Sequence, residues 1–463
     1  MFDRILKSPS IRQYLVVITV NLNVLSVGLS LGWPSPMLVK LRSEDTVLKS
    51  PITEEQGSWI VSIGFLVGPF ANLLPALLLD KIGRKSCVLL VSVPKIIGAV
   101  LLTLATEYWM LLLGRLLANT SDLLMFTIVP LYAMEIASDA IRGSLATILQ
   151  IVCSLGIVVM LSIGPFASYL TANIIFSTVV IMTMLPVVFL PESPYYLYLK
   201  GRSDESIQVL NILRGSETAA KEELKSYAIA NPIDSTSKKD LIKNKLFLKT
   251  LFYVVILGVG SQLIGFNAVS FYLQTILEST QTTVRPGTAS VIIGMIQLVA
   301  SLITTTITER FKRKTIYIFT MIGMTLGMLG LGTFFFATKD VVNIRGFMNY
   351  LPLVSLILVV FCYSAGPGSL NWAVIPELFD STSRAFGFSI SMFVCGLSLF
   401  LTTKYFAAVM LAVGPTATYW TLSVNCALYC VFIACFIPET KGKSFVEIQE
   451  ALGAKKSEVE NGK

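Results

Sequence analysis

The chain has 463 residues, 54% of them hydrophobic and only 14% charged, and a formal net charge of +8. Soluble domains carry about 25% charged residues, so a water-soluble globular fold is excluded. The absence of histidine removes the usual proton shuttle and metal ligand. The seven cysteines form no Cys-x-x-Cys pair, so neither a metal nor a cofactor is expected.

A bilayer-spanning helix needs roughly 20 mostly apolar residues. Twelve such runs follow one another, approximately 13–38, 57–79, 86–106, 108–132, 143–167, 169–190, 249–277, 288–308, 315–337, 348–375, 386–412 and 414–437. Bilayers admit only helices or closed barrels, and runs this long are not alternating strands of about ten residues. The fold class is an all-α membrane protein with twelve transmembrane helices. The first run follows a short basic stretch (Arg4, Lys7, Arg12) and has no small-residue cleavage site, so it reads as a retained helix rather than a signal peptide. With the N-terminus inside, the inner segments collect most lysines and arginines, which places both termini in the cytoplasm. The positive charge is therefore topology; the lipid bilayer is the expected partner and nucleic acid is not. Cys87, Cys153, Cys362, Cys395, Cys426, Cys430 and Cys435 all lie in or beside apolar runs, so no disulfide is expected.

The fourth run contains RLLANTSDLL, residues 115–124. Charges at this depth are costly and normally paired. Lys95, in the third run, is ten residues from Lys85 and so roughly 15 Å deep; Asp122 is thirteen residues from Trp109 and so roughly 20 Å down the antiparallel neighbour. In a core about 30 Å thick both come within reach of the midplane. The expectation is a Lys95–Asp122 pair, with Arg115 two turns above Asp122 on about the same face. It is either a static bridge or a proton-exchanging acid, unless Asp122 takes other polar partners. Asn119-Thr120-Ser121 is the only N-x-S/T sequon, and its depth rules out glycosylation.

A polar segment, 191–248, separates six runs from six more. Within it, SDESIQVLNILRG (Ser203–Gly215) has acidic residues in its first turn, apolar Ile207, Leu210 and Leu213 at helical spacing, and a terminal glycine, the marks of a short amphipathic helix. The inner loops repeat in order. DKIGRK (Asp80–Lys85) matches ERFKRK (Glu309–Lys314); Glu135 with Arg142 seven residues on matches Glu377 with Arg384; PES (Pro191–Ser193) matches PET (Pro438–Thr440). This is an internal duplication: 1–190 a six-helix bundle, 191–248 a cytoplasmic helical linker, 249–437 a second six-helix bundle and 438–463 a tail. Two parallel six-helix halves around a midplane site form a transporter architecture.

The motif set resembles the sugar porter family of the major facilitator superfamily. It rests on Gly114-Arg115, VPLYAMEI (Val129–Ile136) with Arg142-Gly143, PESPYYLYLKGR (Pro191–Arg202), QLIGFNAVSFY (Gln262–Tyr272), GPGSLNW (Gly366–Trp372) and PETKGKS (Pro438–Ser444). GWPSP in the first run and TTK in the eleventh resemble the insect facilitated trehalose transporter branch. The resemblance implies the major facilitator fold, with two pseudo-symmetric bundles and short cytoplasmic helices between them. It implies a cytoplasmic gate of Arg84, Glu135 and Arg142 in one cluster and Glu309, Arg313, Glu377 and Arg384 in the other, with Glu192 and Glu439 tying the linker helices to them. Exposed ion pairs are worth about 0–1 kcal/mol each, which suits a latch that must also open. The resemblance further implies that Gln150, Gln262, Asn267, Gln297 and Trp372 bind substrate. Amides match sugar hydroxyls as both donor and acceptor, and an indole stacks on the ring.

Some positions depart from the family pattern. Tyr195 stands where an arginine is usual, Lys312 where glycine is usual, Asn371 where a proline precedes the tryptophan, and Cys395-Gly396 where an Asn-Trp pair is usual. Proton-coupled members place an acid in the first helix near the arginine matching Arg115; here that helix offers Trp33-Pro34-Ser35. The expected function is facilitative uniport of a sugar, hexose or disaccharide such as trehalose, by a monomer in the plasma membrane. A proton-coupled symporter and a non-transporting nutrient sensor are the alternatives, and the short tail argues against the sensor. No nucleophile constellation or phosphate loop is present, so an enzyme is not expected.

Overall fold

The computed structural model describes residues 8–44, 46–72, 74–229, 243–339, 346–379, 383–443 and 445–453. Every regular element among them is helical. Apart from two short 3-10 helices, Leu185–Phe189 and Gly346–Asn349, these are in chain order α1 (Pro9–Gly32), α2 (Pro34–Arg42), α3 (Glu54–Ala71), α4 (Pro75–Ile82), α5 (Arg84–Thr103), α6 (Tyr108–Ile136), α7 (Asp139–Ile163) and α8 (Tyr169–Met184). Three short helices follow, α9 (Pro194–Leu199), α10 (Ser203–Arg214) and α11 (Glu217–Ile229). Then come α12 (Lys245–Leu263), α13 (Phe266–Phe271), α14 (Leu273–Ser279), α15 (Pro286–Arg310), α16 (Arg313–Ala337), α17 (Leu351–Ala365), α18 (Pro367–Glu377), α19 (Arg384–Phe436) and α20 (Phe445–Ala451).

Nine helical stretches among the described residues are long and apolar enough to cross a membrane, against twelve apolar runs in the sequence. The difference has local causes. The second run is divided into α3 and α4. Helix α7 itself runs 25 residues, but only its part Ile148–Ile163 lies among the residues with described side chains, so it is not counted. The last two runs are joined in α19, where Gly414 breaks the helical path at φ 84°, ψ 159° and Pro415 follows it. Large apolar side chains such as Leu90, Ile97, Phe319, Leu326 and Leu428 are exposed, as helices facing hydrocarbon require.

The chain sorts into two units. The first comprises Met1–Trp33, Ser43–Pro51 and Val67–Asp234, and the second Pro34–Arg42, Ile52–Leu66 and Ser235–Lys463. In the first unit α1 packs along α7, and α5 along α6 and α8. Both closest approaches run through glycine. A Cβ on Gly28 would sit 2.0 Å from the Cys153 carbonyl oxygen, and one on Gly98 would sit 2.7 Å from that of Gly114. Lipid offers helices no hydrophobic drive to associate, so small residues that let backbones touch supply the contact energy. The amphipathic helix expected at 203–215 is α10, with Leu210 and Leu213 buried. Arg12 and Gln13 at the start of α1 donate to its last carbonyls, Ile212 at 2.7 Å and Leu213 at 2.9 Å, and Arg214 donates to Ile136 at the end of α6 (2.9 Å). The linker helices are thus fastened to the ends of α1 and α6.

In the second unit α16 lies against α17 and α19, α12 against α19, and α15 against α17. Helix α12 stops at Ile264, the chain turns through Gly265 at φ +80°, and α13 starts at Phe266. Only glycine takes that left-handed conformation without penalty, and a Cβ there would also meet Leu422 at 2.6 Å.

Candidate functional site

The break at Gly265 sets the geometry of a polar group in the second unit. Gln262 stands in the last turn of α12 and Asn267 in the first turn of α13. Folding the chain between them brings the two amides together, and Asn267 Nδ2 donates to Gln262 Oε1 at 2.7 Å. Gln262 Nε2 points the other way, 3.3 Å from Ser261 Oγ and 3.3 Å from Cys395 Sγ on α19. Gln262 is buried, so its amide works in a setting where an unmet polar group costs about 1–3 kcal/mol. Beside it the rings of Phe266 and Tyr363 stack with centroids 3.6 Å apart.

The other three expected substrate residues are spread over further helices. Gln297 is buried in α15. Trp372, in α18, keeps 53% of its surface open. Gln150 is half-buried in α7 of the first unit. Asn371, which replaces the proline the family resemblance led us to expect, has a definite place. Its Oδ1 accepts hydrogen bonds from Tyr317 at 2.6 Å and Tyr429 at 3.4 Å. Tyr429 also lies 3.0 Å from the Leu257 carbonyl. One amide thus gathers α12, α16, α18 and α19 next to Trp372. The sequence carried no signal for this cluster beyond an out-of-pattern asparagine.

The expected gate residues form two clusters of the same design. In the first unit Arg84, almost fully buried, holds Glu135 at 2.9 Å and Asp80 at 3.2 Å. Glu135 also accepts a hydrogen bond from Ser193. Glu192 Oε1 accepts the backbone N–H groups of Arg84 (2.9 Å) and Lys85 (3.1 Å). In the second unit Arg313 pairs with Glu377 and donates to Thr440 at 3.1 Å. Glu439 accepts the N–H groups of Arg313 and Lys314, each at 3.1 Å. Glu192 and Glu439 therefore sit as anions on the first turns of α5 and α16, where the orphan N–H groups and the helix dipole favour negative charge. The bonds of both glutamates go to backbone N–H groups. Tyr195, in place of an arginine, lays its ring 5.9 Å from the Arg84 guanidinium and edge-on to Tyr227. Arg384 opens α19. The side chains of Arg142 and Glu309 lie outside the described residues.

Within α5 and α6, Lys95 Nζ donates to Asp122 Oδ1 at 2.6 Å, with both side chains buried. The glycine contact explains the reach: Gly98 is one turn from Lys95, and Gly114 is two turns from Asp122 on about the same face. Arg115 turns to α1, bonding the Ser30 carbonyl at 3.1 Å and lying 4.9 Å from the centre of the Trp33 ring. The Trp33 indole donates in turn to Asn173 at 2.8 Å. Asn119 is buried.

The family model described as "Sugar (and other) transporter" matches residues 32–452. The chain belongs to that family. The facilitated trehalose transporter Tret1 of Polypedilum vanderplanki is 28% identical over 450 residues, covering 95% of this chain and 88% of the relative. Tret1 of Culex quinquefasciatus is 27% identical over 445 residues, covering 95% and 86%. Among solved structures, the inward-open xylose transporter XylE from E. coli superposes with a TM-score of 0.79 at 19% identity, covering 95% of this chain and 99% of the other. At that identity the match speaks for the fold, that of the major facilitator sugar transporters. The family consists of transporters, and this chain is one of them rather than an enzyme.

Proposed function

We propose that the protein carries a neutral sugar, a hexose or a disaccharide such as trehalose, by facilitated diffusion through alternating access. The observation that carries this reading is the Gln262–Asn267 amide pair, at 2.7 Å, held at a helix break inside an apolar span. Paired amides can exchange their mutual bond for sugar hydroxyls, donating and accepting alike, and the open indole of Trp372 offers a stacking face. The likeness to the Tret1 trehalose transporters supports the disaccharide. On this reading Gln150, Gln262, Asn267, Gln297 and Trp372 bind the solute. The duplicated arginine–carboxylate clusters, with Arg142, Glu309 and Arg384, form the cytoplasmic gate. The chain spans a plasma membrane twelve times in two pseudo-symmetric bundles, with both termini inside, and works as a monomer. The repeat of the Arg–Glu–Ser/Thr design in the two units supports the pseudo-symmetry.

Uniport is favoured over proton coupling because Arg115 meets Ser30 of α1 and Trp33 just beyond its end, and because Asp122 is held by Lys95. The deciding test is zero-trans uptake of labelled glucose and trehalose at two external pH values, with Asp122→Asn alongside. Saturable uptake that is equal at both pH values and survives in the variant is expected. Accumulation driven by a proton gradient, and lost in Asp122→Asn at unchanged surface abundance, would establish a symporter instead.

A further inference from the structure

A small cavity with a few polar groups in a mostly apolar wall lies in the second unit, away from Gln262. Its volume is about 130 Å³. It is lined by Arg42 at the end of α2, Glu54 at the start of α3, Tyr272 and Thr275 at the break into α14, and Phe406 and Met410 on α19. Arg42 Nη2 pairs with Glu54 at 2.6 Å, and Gly57 clears the space the guanidinium needs, since a Cβ there would lie 2.9 Å from Nη2. The cavity wall is built but unsatisfied. The Tyr272 hydroxyl, on a residue 3% exposed, has no hydrogen-bond partner among the described residues, and neither have Thr275 Oγ1 and Arg42 Nε. Buried polar groups are nearly always partnered, so three unmet groups around one small cavity mark a place for something that donates and accepts.

The chemistry of the lining narrows the occupant. The guanidinium is already neutralised by Glu54, which disfavours an anion. The Tyr272 and Phe406 rings, 5.5 Å apart at 35°, add an apolar face. A hydroxyl-bearing ring with one apolar side fits both. Tyr272 follows Asn267 by five residues, roughly 8 Å along a helical path, a step from one sugar ring to the next.

We infer that this cavity is an outward subsite for the second pyranose ring of a disaccharide, and that it distinguishes disaccharides from hexoses. The inference rests on the sugar-carrier reading and the proposed topology. Its test is uptake of labelled trehalose and glucose by cells expressing the unaltered protein, Tyr272→Phe/Thr275→Val and Ala407→Phe, with surface abundance measured for each. Ala407 also lines the cavity, and a phenylalanine there takes up its space while leaving Tyr272 and Thr275 unaltered in sequence. The expected result is a KM for trehalose raised roughly tenfold in both variants, the worth of one or two hydrogen bonds, with the KM for glucose within about twofold of the unaltered protein. Equal changes for both sugars, or no change for trehalose in whichever variant reaches the surface, overturns the subsite and leaves the carrier reading standing. If neither variant reaches the surface, trehalose and glucose binding to the unaltered protein in detergent, by tryptophan fluorescence, decides: trehalose no tighter than glucose overturns it. Neither uptake nor binding of any sugar by the unaltered protein sinks the carrier reading and the subsite together.

Discussion

Removing one member of the Lys95–Asp122 pair should cost more than removing both. The charged atoms are 2.6 Å apart, and the side chains are 2% and 5% exposed. At that separation the attraction is about 6 kcal/mol for an effective dielectric near 20. Stripping each ion of its water costs several kcal/mol, so the intact pair is nearly neutral in net worth. Lys95→Met removes the attraction and strands a buried carboxylate. Its Oδ2 already accepts no hydrogen bond among the described residues, so little is at hand to compensate. The expected loss is about 3–5 kcal/mol for Lys95→Met, and of the same order for Asp122→Leu. The double variant carries no charge at this depth and should recover most of that loss. Unfolding of the four proteins in detergent as a double-mutant cycle measures the coupling directly. A coupling energy below about 0.5 kcal/mol, or a double variant less stable than either single one, would refute the reasoning.

Three further outcomes follow from the geometry. Gln262→Ala and Asn267→Ala should each lower sugar uptake by about tenfold or more at unchanged surface abundance; uptake kinetics normalised to surface label check this, and full activity in both would remove the amide pair from the site. Gly265→Ala must adopt φ +80° and displace Leu422, so a stability loss of about 1–3 kcal/mol should appear in detergent unfolding together with lost uptake. Glu192→Gln and Glu439→Gln should each lose about 0.3–1 kcal/mol of helix-terminus stabilisation; thermal scans that show one large and one negligible effect would argue against a shared role.

What was legible in the sequence and what was not divides along physical lines. The apolar runs are legible because the bilayer demands length and composition together. Lys95 and Asp122 could be matched because two antiparallel spans turn sequence distance into depth, and two buried charges have few other ways to be satisfied. The arginine–carboxylate clusters showed through their repetition. The partners of Glu192 and Glu439 did not, because both bond backbone N–H groups, and a backbone amide leaves no mark in the sequence. Asn371, Tyr317 and Tyr429 stand far apart in the chain and meet only because α16, α18 and α19 pack together. The cavity at Arg42 is hidden for the same reason: its walls come from α2, α3, α14 and α19, and its signature is a set of bonds not made.

The electrostatics of the two units bear on how such a carrier works. Arg84, Arg313, Lys95 and Arg42 each meet a carboxylate in their own unit, while Gln262 and Asn267 present neutral amides. A neutral solute leaving such a site strands no charge, so the empty protein meets no large electrostatic penalty on reorienting. A site that relied on an unpaired carboxylate would have to take up a proton or a cation before it could do the same. On the proposed reading, amide–amide bonding at the Gly265 break also gives the empty site internal partners, so that loaded and unloaded forms can lie within a few kcal/mol of each other, the balance that free return of an empty uniporter would need. Replacing Asn267 by aspartate tests this argument. On this account uptake should become pH-dependent, falling as the new carboxylate ionises, while Asn267→Ser, which keeps the site neutral, should stay pH-independent. Identical pH profiles for the two variants would mean that neutrality of the site is not what sets the return step.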